Sequence, residues 1–299
     1  MSATLHLAIG AFDGVHLGHR AVLHSAREAA RADGGIVGVL TYDPHPSKVL
    51  RPESSVPLIF TRAQKDERLT EAGAQLVHHE KFDRAHAGIE AADFPKWLKH
   101  TFPHLRSLHV GSNFQYGRGR AGNGETLIAH GAAENLGVRL VSAVSLGDET
   151  VSSSRIRQCL AAGDLALANA MLLRPYEAEG IIIGGRRLGR TIGFPTVNVA
   201  WEPELKPAYG VYAVEVIFKG EALPAVANYG QRPTVESGPV APLLEAHVLR
   251  GAAPTTGDAV RVRWVRRLRA EQKFADLAAL QAQIAKDSGA ARQALGLLA

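Results

Sequence analysis

The chain has 299 residues, 46% of them apolar. That is enough to bury a core and longer than the usual domain of about 100–200 residues, so two domains are expected. Lysine and arginine outnumber aspartate and glutamate by 34 to 29, and 15 of those bases and 12 of those acids lie after residue 175, a spread that excludes a polybasic tail and argues against a nucleic-acid surface. Cys159 is the single cysteine, which excludes an internal disulfide, and its setting suits a small filler in a helix. No apolar run approaches the roughly 18 residues of a membrane span, and the N-terminus lacks a signal-peptide pattern. A cytoplasmic protein with no membrane or nucleic-acid partner is expected.

In chain order, LHLAIGAF (5–12), IVGVLTY (36–42) and LHVG (108–111) read as buried parallel strands. Between the first two, Leu17, Ala21, Val22 and Ala26 share a helical face that Gly34 and Gly35 terminate. Helices are expected at 61–73 and 91–102, the second with Pro95 in its first turn. This alternation predicts an open, doubly wound α/β layer. A connecting helix follows, SRIRQCLAAGDLALANAMLL, broken at Gly163 and Asp164. After about residue 172, six strand-like runs crowd together: EAEGIIIGG, TVNVAW, YGVYAVEVIF, LPAVANYG, LLEAHVLR and AVRVRWVRRL. They predict a small antiparallel barrel, since closure removes exposed edges. A terminal helix is expected over 273–287, with Leu277, Leu280 and Ile284 on one side.

Two stretches carry chemistry. In FDGVHLGH, Phe12 ends the strand, Asp13 and Gly14 turn the chain, and His16 and His19 flank Gly18 at a helix entrance. Free amides and the helix dipole favour an anion there, and imidazole donors add to them at an α-phosphate under attack. The P-loop and dinucleotide fingerprints are absent. VSSSRIR adds N-cap hydroxyls at Ser152, Ser153 and Ser154 with Arg155 and Arg157 in the next turns, either a pyrophosphate site or a plain helix cap. His78, His79, His104 and His109 show no convincing metal-ligand spacing and are expected at the surface.

In the second half, GRRLGRTIGFPTVN offers turn glycines at Gly189 and Gly193 and places Thr196 and Asn198 two apart on an extended strand, so both side chains point one way. They are candidate hard ligands for Mg²⁺ or simply the polar face of a strand. In LLEAHVL, Leu244, Ala246 and Val248 face one way and Glu245 and His247 the other. Glu245, expected on an inward face, is either a base for a hydroxyl attacking a γ-phosphate or a partner for Arg261 or Arg263.

FDGVHLGH, YDPHP (42–46), VGSNFQYG (110–117) and VSSSRIR resemble, in order, the adenylyltransferase motifs of the HxGH nucleotidylyltransferases. GFPTVN, with GGRRLGR, PAYGVYAVEV, ANYGQRPTV and LLEAHVL, is similar to riboflavin kinases. Together they resemble the bacterial bifunctional riboflavin kinase/FMN adenylyltransferase (FAD synthetase) family over nearly the whole chain. The resemblance implies a Rossmann-like nucleotidylyltransferase domain (1–157), a linker helix (158–173) and a six-stranded riboflavin-kinase barrel with its terminal helix (174–299). It implies that Phe12, Asp13, Gly14, His16, Gly18 and His19 handle ATP, with Ser153, Arg155 and Arg157 closing over the triphosphate. Asn113 and Phe114 would touch flavin. In the barrel, Gly189, Arg190 and Gly193 would bind nucleotide, Thr196 and Asn198 would coordinate Mg²⁺ with ATP, and Glu245 would be the base. Riboflavin and FMN are the implied substrates, and flavoproteins receiving FMN or FAD the implied partners. Four departures stand out: Asn113 where many relatives have aspartate, Gly184 for a histidine, Val197 for an alanine, and Thr255–Gly257 for a tyrosine-glycine pair. HxGH alone also fits transfer to another phosphorylated acceptor, and a flavin-responsive binding protein is the non-enzymatic alternative.

Overall fold

The computed structural model describes residues 3–185, 193–231 and 242–297. The chain divides into two compact units, Met1–Ser153 and Ser154–Ala299.

The first unit is a five-stranded parallel sheet: β1 (Leu5–Ile9), β2 (Ile36–Asp43), β3 (Leu76–Lys81), β4 (Leu105–Gly111) and β5 (Gly137–Val141). The order is β3-β2-β1-β4-β5, so the chain winds outward from β1, then returns to β4 and continues the other way. Helices α1 (Leu17–Asp33), α2 (Pro46–Leu50), α3 (Arg62–Glu71), α4 (Arg84–Ala87), α5 (Phe94–Thr101) and α6 (Gly124–Ala133) connect the strands. Alternation along β1 feeds two cores. Leu5, Leu7 and Ile9 join Leu98, Leu108 and Leu127 on one face, while Ala8 joins Val22, Leu23, Ala26 and Val39 on the other. This is the doubly wound, Rossmann-like layer expected from alternating strands and helices. α1 ends on Gly34 at φ 73°, whose N–H reaches back to Ala30. Pro95 lies in the first turn of α5, as expected.

Strand β1 stops at Ile9, three residues short of Phe12, because the chain there leaves extended geometry: Phe12, Gly14 and Val15 have φ of 51°, 86° and 39°. His109 is not at the surface. It is 1% exposed and bonded on both ring nitrogens, to Ser25 Oγ and Ser107 Oγ at 2.8 Å each. Ser107 Oγ also meets His6 Nδ1 at 2.7 Å, and His6 Nε2 meets the Asp33 carboxylate at 3.0 Å. His79 likewise turns inward, to Asp66 at 2.6 Å.

After the short pair β6 (Ser145–Leu146) and β7 (Glu149–Thr150), α7 (Ser153–Ala162) and α8 (Leu165–Leu172) are separated at Gly163 (φ 82°), with Asp164 capping α8. Asn169 on α8 ties to the barrel, donating to the Trp264 carbonyl and accepting from the Tyr176 amide.

The barrel comprises β8 (Tyr176–Ile183), β9 (Val197–Ala200), β10 (Gly210–Phe218), β11 (Glu221–Gln231), β12 (Pro242–Val248) and β13 (Ala259–Arg269). Its closed order is β10-β11-β12-β9-β8-β13, and every pairing is antiparallel. Trp264 fills the interior with Tyr212 and Tyr229, ring centres 4.6 and 5.6 Å away. Alternate residues of β13 face outward, where Arg261 and Arg263 pair with Glu177, Glu179 and Glu215.

The terminal helix runs over Leu277–Ala294 rather than 273–287, capped by Asp276. Its buried residues are Asp287, Ser288 and Ala291, while Leu277 is 57% exposed. Asp287 explains the difference: Arg269 grips its carboxylate with contacts of 2.8–3.1 Å, and an ion pair rather than a leucine stripe pins the helix.

Candidate functional sites in the two units

In an open α/β sheet, ligands settle outside the carboxyl ends of the strands where the winding reverses. Here that point lies between the neighbours β1 and β4. Phe12–His19 follow β1, and Asn113 and Phe114 follow β4, so the topology assigns both motifs to one crevice edge.

The loop after β1 is tightly held. Val15, β-branched at positive φ, is an outlier that only surrounding contacts can sustain. The Asp13 carboxylate accepts the Ile59 and Phe60 amides at 2.9 and 3.5 Å, and its carbonyl accepts the Ser153 hydroxyl at 2.8 Å. His16 caps α1, its Nδ1 accepting the His19 amide at 3.4 Å. The two imidazoles stack with centres 3.7 Å apart and planes 18° from parallel. A side chain at Gly18 would press on His16 Cε1 at 3.2 Å.

Burial, then His16, then Lys65 hold the His19 pKa well below 6.5. His19 is therefore neutral at physiological pH, and among the described residues its Nδ1 is buried without a partner.

The structure thus brings together Phe12, Asp13, Gly14, His16, Gly18, His19 and Ser153. Arg155 and Arg157 lie farther along α7, in the second unit. Asn113 is exposed, and Phe114 stacks on Tyr116 at 5.9 Å. Lys65 and Thr41 belong to this neighbourhood and carry no motif signal: Lys65 Nζ donates to Thr41 Oγ1 at 3.1 Å, and Thr41 Oγ1 donates to the Ala11 carbonyl at 3.0 Å.

In the second unit, strand register does the positioning. Asn228 on β11 opposes Glu245 on β12, and Glu245 opposes Asn198 on β9. Directly paired residues share a sheet face, so the three form one row. That row is not inward, as expected for Glu245. Leu244, Ala246 and Val199 occupy the interior at 0–1% exposure, and Glu245 lies on the outer face. There a cavity of about 380 Å³ is lined by Asn228, Glu245, His247 and Arg269 from the barrel strands, Thr196 just before β9, Phe274 after β13, and Leu280, Ile284 and Asp287 from the terminal helix. Its volume suits a small organic ligand. His247 is fixed by donating Nδ1–H to the Pro195 carbonyl at 2.8 Å.

Asn198 is 6% exposed and, among the described residues, its Oδ1 is buried without a hydrogen-bond partner. A buried, unsatisfied amide oxygen is costly unless a donor or cation meets it, so the residue fits a hard cation such as Mg²⁺. Gly185 leaves room for it: a Cβ there would fall 1.9 Å from Asn198 Nδ2. Gly193 adopts φ 86° with open space beside it. Gly189 and Arg190 lie outside the described residues. Asn228 was invisible in the sequence because only the register of β11 places it beside Glu245.

Family models describe residues 2–155 as FAD synthetase and residues 172–295 as riboflavin kinase. A bifunctional riboflavin kinase/FMN adenylyltransferase from Escherichia coli K12 is 38% identical over 97% of this chain and 93% of its own length. The Bacillus subtilis protein of the same description is 34% identical, covering 94% and 89%. Among solved structures, one described as a macrolide-efflux protein from Streptococcus pneumoniae matches with TM-score 0.88 and 27% identity, over 97% of this chain and 94% of that one. No described helix here is long and apolar enough to cross a membrane.

Proposed function

The chain belongs to the family of bifunctional riboflavin kinases/FMN adenylyltransferases, and from that premise we propose how its pockets divide the two activities. The enzyme phosphorylates riboflavin with ATP to give FMN and adenylates FMN with a second ATP to give FAD and pyrophosphate. We assign adenylyl transfer to residues 1–157 and the kinase to 174–299, joined through 158–173. Because both steps consume ATP, the reading places the enzyme in the cytoplasm.

In the barrel, riboflavin occupies the cavity under the terminal helix with its primary ribityl hydroxyl toward Glu245. Glu245 accepts the hydroxyl proton as the oxygen attacks the γ-phosphorus of ATP, and ADP leaves. Thr196 Oγ1 and Asn198 Oδ1 would hold Mg²⁺, which supplies charge neutralisation at the ATP phosphates. The observation that carries this reading is the shared face of Asn198 and Glu245, with Glu245 and Thr196 both in the cavity wall.

In the α/β unit, an FMN phosphate oxygen forms a bond to the α-phosphorus of ATP while the bond to the pyrophosphate oxygen breaks. The chemistry needs positioning and donors for charge on the phosphoryl oxygens, without a covalent intermediate. The stacked His16 and His19 rings would supply donors, and the α1 entrance amides. Asn113 and Phe114 are placed to meet flavin.

Chromatographic resolution of flavins tests the assignment. The wild type is expected to convert riboflavin, ATP and Mg²⁺ to FMN and FAD. Glu245→Gln should lose FMN formation by about a hundredfold or more, the scale of a general base, yet still make FAD from supplied FMN. Retained FMN formation in that variant refutes the base, and loss of both activities refutes separate sites.

A further inference from the structure

We propose that Lys65 is a positive charge of the adenylyl pocket that contacts the phosphates of bound ATP. The inference rests on the assignment of adenylyl transfer to the first unit.

Two phosphate-bearing substrates meet in that pocket, and the stacked imidazoles cannot both neutralise them. His19 is held in its neutral form by burial and by the charges of His16 and Lys65. Charge complementarity therefore calls for a cation from the first unit itself, and Lys65 is placed to supply it. It lies one turn into α3, half-buried. The start of α3 is anchored to the pocket floor, since the Ile59 and Phe60 amides just before it bind the Asp13 carboxylate. From there Nζ reaches Thr41 Oγ1, itself fully buried and bonded to the carbonyl of Ala11, two residues before Asp13.

The ammonium is left with donors to offer. Among the described residues the Lys65 ammonium makes that one hydrogen bond and no ion pair. An ammonium has three N–H donors. A half-buried cation without a bonded carboxylate is expensive unless an anion arrives. Burial lowers the Lys65 pKa below the usual lysine value, with Arg62 acting the same way, while Asp13, Asp66 and Asp43 oppose the shift and favour the charged form. The result is an ammonium held on Thr41 whose charge is felt at His19, which would oppose charge accumulating during transfer.

The test compares Lys65→Met, Lys65→Gln and Lys65→Arg in the full-length enzyme, with riboflavin phosphorylation in the same preparations as an internal control. The Gln variant retains an N–H for Thr41 without the charge. Loss of kcat/KM for FAD formation from FMN should reach about a hundredfold in Met and Gln, the range for removing one oriented electrostatic group. Arg should stay within about tenfold of wild type, and product inhibition by inorganic pyrophosphate should weaken in Met and Gln but not in Arg. Kinase rate and thermal midpoint should hold in all three. Near-wild-type FAD formation in Gln overturns the proposal. So does an Arg variant as defective as Met with pyrophosphate inhibition unchanged, which would mark Lys65 as a strut for Thr41. Absence of FAD formation in the wild type itself would instead sink the assignment of the first unit.

Discussion

His16 and His19 show how a short motif becomes chemistry. The sequence places two imidazoles around a glycine, and the fold adds their stack and the neutral state of His19. That neutral state needs burial and Lys65, which FDGVHLGH does not contain, so it was not legible. Lys65 was missed for the same reason, as its partner Thr41 is 24 residues away. The buried polar chain through His6, Ser107 and His109 did leave a signal: each is a polar residue inside an apolar strand, and such residues must find partners. That chain gives a pH prediction. Burial, followed by His6 and Arg139, lowers the His109 pKa from 6.5 to about 4. Between those values the unfolded chain binds the extra proton, so stability is complete above pH 6.5 and falls as pH drops toward 4. The loss is on the order of 3 kcal/mol for His109 alone, at 1.36 kcal/mol per pKa unit. Thermal midpoints measured across that window should fall, and His109→Gln should flatten the dependence. An equally steep fall in the variant removes His109 as its source.

At the scale of elements, buried strands were the readable ones. β1, β2 and β4 carry apolar runs because helices cover both faces, whereas the edge strands β3 (LVHHEK) and β5 (GVRLV) mix polar residues and gave no clear pattern. The six barrel strands were legible from period and spacing. Their register was not, and register alone makes a row of Asn198, Glu245 and Asn228 on the outer face. The terminal helix was misphased because Asp287, rather than Leu277, turns toward the barrel. Gly185 belongs to this scale, since β8 carries it up to Asn198. Gly185→Ala should push the Asn198 side chain aside and lower riboflavin phosphorylation by about tenfold or more, as small misplacements of positioned groups do. FAD formation from FMN should not change. A kinase rate within twofold of wild type would show that Asn198 need not sit where it does.

For the whole molecule, composition and charge predict only two ordinary globular domains, and the division into two compact units agrees with the family models matched in each half. The match to a structure described as an efflux protein extends across the fold, yet no described helix here is suited to cross a membrane. On the proposed reading, what unites the chain is phosphate chemistry run twice with different tools: stacked imidazoles in one unit, a carboxylate beside an amide oxygen in the other. Mixing two crippled enzymes probes this division most directly. Glu245→Gln and His19→Ala are each incubated alone with riboflavin, ATP and Mg²⁺, then together, and flavins are resolved. Neither alone should make FAD, His19→Ala should accumulate FMN, and the mixture should make FAD as one protein supplies what the other adenylates. A mixture that accumulates FMN and makes no FAD would contradict the account.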